Sequence, residues 1–190
     1  MRMNKNVPNI ITIFRIVLVP VFCLLIFNPA ISKGSWWALL VFVIASISDY
    51  VDGYLARKYH LVTAFGKIMD PLADKILVLA AMVALTFTPM YWLNPVVIAI
   101  IAFREIAVTI LRDYHAKRNN VIAANNWGKW KTVTQMVGIT LTLLYFAVVQ
   151  SNPAKDVLLV IRVYFWGVAL ITLLSGMNYF FVKQQPSRNP

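Results

Sequence analysis

The sequence predicts an all-α fold threaded through a membrane, and three observations carry that prediction. Of its 190 residues 60% are hydrophobic and 13% charged, with a mean hydropathy of +0.70. Soluble domains run at about 45–50% apolar and about 25% charged, so lipid suits this chain better than water as a solvent. The apolar residues also gather in six runs, each near the length of about 20 residues that a membrane helix needs. Lysine and arginine, finally, cluster in alternate connections between those runs. The net charge of +11 would point to nucleic acid in a soluble domain. In this pattern it reads as cytoplasmic loops facing anionic lipid, with no nucleic-acid partner.

The first run covers residues 8–27. Arg2 and Lys5 precede it as the n-region of a signal peptide would, but Arg15 interrupts it and no small-x-small cleavage site follows, so it reads as mature protein. Its Cys23 is the chain's single cysteine, which leaves no intramolecular disulfide and no Cys-rich zinc site. The remaining runs cover 36–56, 68–88, 94–112, 129–149 and 157–182. Between them stand breaker residues: Pro29 and Gly34, then Pro89, then Asn152 and Pro153. With no linker, repeat or low-complexity tract, residues 1–190 read as a single domain.

Basic residues set the expected topology. Arg57, Lys58 and Lys67 lie between the second and third runs, and Arg112, Lys117, Arg118, Lys129 and Lys131 around the fourth-to-fifth connection. The N-terminus adds Arg2 and Lys5, the C-terminus Lys183 and Arg188. The alternate connections hold only Lys33 and Lys155. Both termini are therefore expected in the cytoplasm, with six transmembrane helices. Trp36, Trp37, Tyr91 and Trp92 fall at run ends, as an interfacial belt would, and Arg162 is placed to snorkel.

Four of the seven acidic residues fall within one short stretch: Asp49, Asp52, Asp70 and Asp74. Asp49 and Asp52 are three apart and Asp70 and Asp74 four apart, so each pair shares a helix face. A short connection makes the two helices antiparallel neighbours, and the four carboxylates can converge. Asp70-Pro71 resembles an N-cap followed by proline at the first helical position. Two readings stand for the cluster. Hard oxygen ligands select Mg²⁺, Mn²⁺ or Ca²⁺, or each carboxylate is an interfacial charge with its own Lys or Arg. Gly53, Ala56 and Gly66 are small enough to let backbone or ligand approach closely. Arg15, Arg104 and Glu105 are the remaining charges at membrane depth, where ionisable groups face a cavity or a partner. His60 and His115 read as surface residues.

The pattern Asp49-x2-Asp52-Gly53-x2-Ala56-Arg57-x8-Gly66-x3-Asp70-x3-Asp74 resembles, at every fixed position, the signature of the CDP-alcohol phosphatidyltransferase family. The resemblance implies a six-helix membrane enzyme, usually homodimeric, that transfers a phosphatidyl or related group from a CDP-linked donor to an alcohol and releases CMP. It implies two divalent ions, Mg²⁺ or Mn²⁺, held by Asp49, Asp52, Asp70 and Asp74, with Asp74 also the catalytic base. Asp52, Gly53, Ala56, Arg57 and Gly66, with Asn9 and Thr12 of the first helix, are the expected contacts of the CDP-linked donor.

Four stretches are similar to a bacterial branch that uses CDP-diacylglycerol and glycerol 3-phosphate: Asn6-Val7-Pro8-Asn9-Ile10-Ile11-Thr12-x2-Arg15-x4-Pro20, Asp70-Pro71-Leu72-Ala73-Asp74-Lys75, Arg104-Glu105 and Gly128-Lys129-x-Lys131-Thr132-x2-Gln135. An acceptor phosphate needs cations, and Arg112, Arg118, Lys129 and Lys131 are the candidates; the positive-inside pattern alone also accounts for such residues. The expected place is the cell membrane, multi-pass, with the active site facing the cytoplasm. Phosphatidylglycerol, inositol phosphate or serine as acceptor is the alternative within the family. A divalent-cation transporter is the alternative outside it, though transporters set their carboxylates near the bilayer midplane.

Overall fold

The computed structural model describes residues 7–59, 64–88, 93–117, 126–149 and 153–180. The described residues form six α-helices and no strand: α1 Val7–Phe27, α2 Gly34–Lys58, α3 Ala64–Phe87, α4 Pro95–Lys117, α5 Asn126–Val148 and α6 Lys155–Phe180. Helix α3 is central, packing on α1, α2, α4 and α5. Helix α1 also packs on α2, α2 on α5, and α6 closes the bundle against α4 and α5.

The burial pattern is that of a protein dissolved in lipid. Along α1 the buried face runs Thr12, Arg15, Val19, Phe22 and Ile26, at helical spacing. The opposite face, equally apolar, exposes Ile10, Ile13, Val17, Val21 and Leu24. A water-soluble helix buries its apolar stripe and shows its polar one; here the polar residues Thr12 and Arg15 are inside. Phe87 and Phe103, 66% and 75% exposed, continue the apolar surface on α3 and α4. Small residues let the helices approach: Ala38 and Ala45 on α2 and Ala73, Ala81 and Ala84 on α3 are wholly buried.

Helices α1, α2, α5 and α6 are long and apolar enough to cross a bilayer, and they make the chain a multi-pass membrane protein. Helices α3 and α4 carry Asp70, Asp74 and Lys75, and Arg104 and Glu105, within their length. Those charges lower their hydropathy, and central packing shields α3 from the solvent that would otherwise have to tolerate them.

Two expectations need correction. Asp70-Pro71 does not open α3: the helix starts at Ala64, and both residues lie inside it. The missing N–H of Pro71 forfeits one backbone bond there. The N-cap-plus-proline arrangement belongs instead to α4, where Asn94 Oδ1 accepts the N–H of Val96 at 2.9 Å and Pro95 is the first helical residue. Helix α4 also runs on to Lys117, past the expected end at 112, because the apolar pattern marks contact with lipid and not the last hydrogen-bonded turn. Of the aromatic belt, Trp36 and Trp37 are exposed at the start of α2, while Tyr91 and Trp92 lie outside the described residues. Arg162 is exposed on α6.

Two glycines mark close approaches. A Cβ on Gly34 would stand 2.4 Å from the backbone oxygen of Leu25, just after Lys33 turns the chain at φ 58°. A Cβ on Gly138 would stand 2.3 Å from Cε1 of Tyr164, whose hydroxyl donates to the Thr134 carbonyl oxygen at 2.8 Å and ties α6 to α5. Gly138→Ala should displace the ring and break that tie. The expected loss is about 1–3 kcal/mol, read as a lower unfolding temperature in detergent; an unchanged temperature would show that α5 and α6 separate at no cost.

Candidate active site

Three helices build an acidic pocket. Thr12 and Arg15, three residues apart, share the inner face of α1, and both are fully buried. The Arg15 guanidinium spans two carboxylates of α2: Nη1 donates to Asp49 Oδ1 at 2.5 Å and Nη2 to Asp52 Oδ2 at 2.6 Å. Thr12 Oγ1 donates to Asp70 Oδ1 of α3 at 2.5 Å. One turn of α1 therefore engages three of the four aspartates. Asp52 is within electrostatic reach of Asp49 and Asp70, and Asp74 is within reach of Asp49 and Arg15. Asp52 is 3% exposed, whereas the Asp49 side chain is 36% exposed and opens toward solvent. Asp74 Oδ1 is buried without a hydrogen-bond partner.

The fourth aspartate connects this pocket to a second polar cluster between α3, α4, α5 and α6. Asp74 lies within electrostatic reach of Lys131 and Lys75. Lys131, only 4% exposed on α5, pairs with Glu105 of α4. Arg104 Nη1 reaches the same Glu105 oxygen at 3.3 Å, and its Nη2 donates to Ser175 Oγ of α6 at 2.8 Å. Lys75 bonds Thr109 across α3 and α4. Gln135, one helical turn beyond Lys131, is 2% exposed with its Nε2 unpartnered. Gly176 leaves room for Arg104, since a Cβ there would meet Nε at 3.0 Å. Outside both clusters, Val43, Ile47 and Tyr50 of α2 and Met136, Thr140 and Leu141 of α5 line an open apolar groove of about 500 Å³.

The structure brings together Asp49, Asp52, Asp70, Asp74 and Thr12, and seats Lys131 on Glu105 beside them. Asn9 is half-buried one turn before Thr12, Gly53 follows Asp52 in α2, and Gly66 is buried near the start of α3. Ala56, Arg57, Arg112 and Lys129 fall within α2, α4 and α5, but their side chains lie outside the described residues. Arg118 lies outside them altogether. Thr109 and Ser175 belong to the polar cluster without having been singled out in the sequence. An isolated hydroxyl in an apolar helix is too common a packing residue to stand out. Arg15 is legible as a charge at membrane depth, and its three-residue spacing from Thr12 is the signal that puts both on one face.

The donor set fits a divalent cation by its chemistry. Four carboxylates face one region, the Arg15 guanidinium bonds only two of them, and the Asp74 oxygen is buried and unpartnered. Hard oxygen donors are what Mg²⁺ and Mn²⁺ prefer. Among the described residues no group of three acidic, histidine or cysteine side chains is arranged to hold an ion as it stands. The contacts from Arg15 and Thr12 occupy oxygens of Asp49, Asp52 and Asp70.

Fold and site first define a class: a multi-pass helical membrane protein with an acidic pocket adjoining a buried cationic cluster. The chain belongs to the CDP-alcohol phosphatidyltransferase family, whose sequence model matches residues 5–176. It is 40% identical over 190 residues to the CDP-diacylglycerol–glycerol-3-phosphate 3-phosphatidyltransferase of Bacillus subtilis, covering 92% of this chain and 93% of that one. The enzyme of the same name from Haemophilus influenzae is 35% identical, covering 96% and 95%. A cardiolipin synthase (CMP-forming) of Oryza sativa subsp. japonica is 36% identical over 90% of this chain but 54% of its own length. The protein is thus a phosphatidyltransferase.

Proposed function

We propose that the protein transfers the phosphatidyl group of CDP-diacylglycerol to glycerol 3-phosphate, giving phosphatidylglycerophosphate and CMP. The observation that carries this reading is the buried, unpartnered Asp74 Oδ1, set between the acidic pocket and Lys131. A hydroxyl nucleophile needs a proton acceptor, and a phosphorylated acceptor needs a cation within reach of that same point.

The acceptor's free 1-hydroxyl attacks the phosphorus that bears the diacylglycerol. The bond from that phosphorus to the CMP oxygen breaks, and CMP leaves with the electron pair. Asp74 takes the hydroxyl proton at its carboxylate. Lys131, with Arg112, Arg118 and Lys129 around the same connection, receives the acceptor's phosphate. Asn9, Thr12, Gly53, Ala56, Arg57 and Gly66 contact the donor's nucleotide and phosphates. Asp49, Asp52, Asp70 and Asp74 would hold two divalent ions, Mg²⁺ or Mn²⁺, which when bound neutralise the pyrophosphate and stabilise the departing phosphate oxygen. The groove between α2 and α5 starts at Tyr50, next to Asp49, and its apolar lining suits the donor's acyl chains.

Six spans with both termini and the pocket on the cytoplasmic side of the cell membrane are supported by the lysine and arginine distribution. That placement gives a lipid donor lateral entry and a water-soluble acceptor entry from the cytoplasm. Homodimer formation is carried over from the family.

Purified protein in detergent, given CDP-diacylglycerol and Mg²⁺ or Mn²⁺, should release CMP with glycerol 3-phosphate. It should release none with serine, inositol phosphate or phosphatidylglycerol. Release with phosphatidylglycerol alone would move the protein to cardiolipin synthesis, the activity named for the rice relative. No CMP release with any of these acceptors, alongside divalent-ion flux in sealed vesicles, would make it a transporter.

A further inference from the structure

The proposed function has no use for a fully buried arginine on α1, yet Arg15 occupies the centre of the acidic pocket. Its two terminal nitrogens bind one oxygen each of Asp49 and Asp52, and Asp74 is also in its electrostatic reach. Four carboxylates brought together at membrane depth repel one another, and a buried charge without a partner is strongly destabilising. A divalent ion would relieve that repulsion once bound. Before it binds, the cluster still has to hold together.

We propose that Arg15 is a counter-cation that the protein supplies to this cluster, beside Lys75 and Lys131 near Asp74, neutralising Asp49 and Asp52 before a divalent ion arrives and yielding its contacts with them as the ion binds. The proposal rests on the divalent-ion reading of the four aspartates. Competition for the same oxygens follows from the contacts themselves. Arginine suits the task because its planar fork can span two carboxylates and keeps its charge when buried. Arg15 is a positioning residue in this role and touches no reacting atom.

The test uses the full chain in detergent and Mn²⁺ alone, with no substrate. Unfolding temperature is measured after chelation and along a Mn²⁺ titration, and free Mn²⁺ is followed by electron paramagnetic resonance. Metal-free Arg15→Gln should unfold well below the parent protein, and Mn²⁺ should close most of the gap. With one positive charge gone, half-saturation should need about tenfold less Mn²⁺. A structural role alone would lower the unfolding temperature equally with and without Mn²⁺, and that result overturns the proposal. So does a parent protein that binds Mn²⁺ beside an Arg15→Gln protein that binds it equally or more weakly. No Mn²⁺ uptake by the parent protein would overturn the divalent-ion reading itself, and the proposal with it.

If Arg15→Gln cannot be purified, Arg15→Lys carries the test. It keeps the charge but offers one ammonium in place of a fork. Its metal-free unfolding temperature should drop, and its Mn²⁺ half-saturation should stay within about twofold of the parent. A tenfold weakening would show that Arg15 orients the ligands and does not compete for them.

Discussion

Asp74→Asn is expected to abolish phosphatidyl transfer in a protein that still folds and still binds its donor. The carboxylate oxygen Oδ1 is buried and unpartnered, so an amide of the same shape fits the site without opening a cavity. The amide cannot take a proton. Losing a general base costs about 10²–10⁴ in rate, and losing one oxygen ligand adds to that. Stability should move the other way. A buried carboxylate oxygen without a hydrogen bond costs free energy in the folded state, so the unfolding temperature in metal-free detergent should equal or exceed that of the parent. That opposition, activity lost while stability holds or rises, is the mark of a group kept for chemistry. Unchanged turnover would remove Asp74 as the base.

Lys131→Ala should raise the KM for glycerol 3-phosphate about ten- to hundredfold, matching the loss of one or two charge-assisted hydrogen bonds. The KM for CDP-diacylglycerol should change little. The reasoning depends on where the side chain sits. A lysine at a loose cytoplasmic loop would be one positive charge among many. This one is 4% exposed, held by Glu105 and within reach of Asp74. The variant also leaves Glu105 with Arg104 as its remaining ion-pair partner of the two described, so some stability is lost. Equal rises in both KM values would assign the effect to that general disruption and not to a phosphate contact.

The two clusters differ in how far the sequence revealed them. The acidic pocket was legible because its residues are the wrong kind for their surroundings. Aspartates three and four apart, beside apolar runs in a chain with seven acidic residues, leave few alternatives to a shared site. The cluster around Glu105 was only half legible. Arg104 and Glu105 stood out as charges, but their links to Ser175 and Lys131 join α4 to α6 and α5. Contacts across such separations in the chain leave no periodic trace.

The sequence by itself determined the solvent, the helices and which aspartates share a pocket. Hydropathy and charge are local properties, and a lipid solvent reads them residue by residue. It misplaced the start of α3 and the end of α4, because apolar runs record where lipid touches the chain and helical hydrogen bonds continue past that point. Only the tertiary structure decided what each charge is paired with. Arg15 on Asp49 and Asp52, Thr12 on Asp70 and Lys131 on Glu105 all depend on how helices pack. Ion pairing at membrane depth is set by which faces meet, and that is a property of the bundle and not of any one helix.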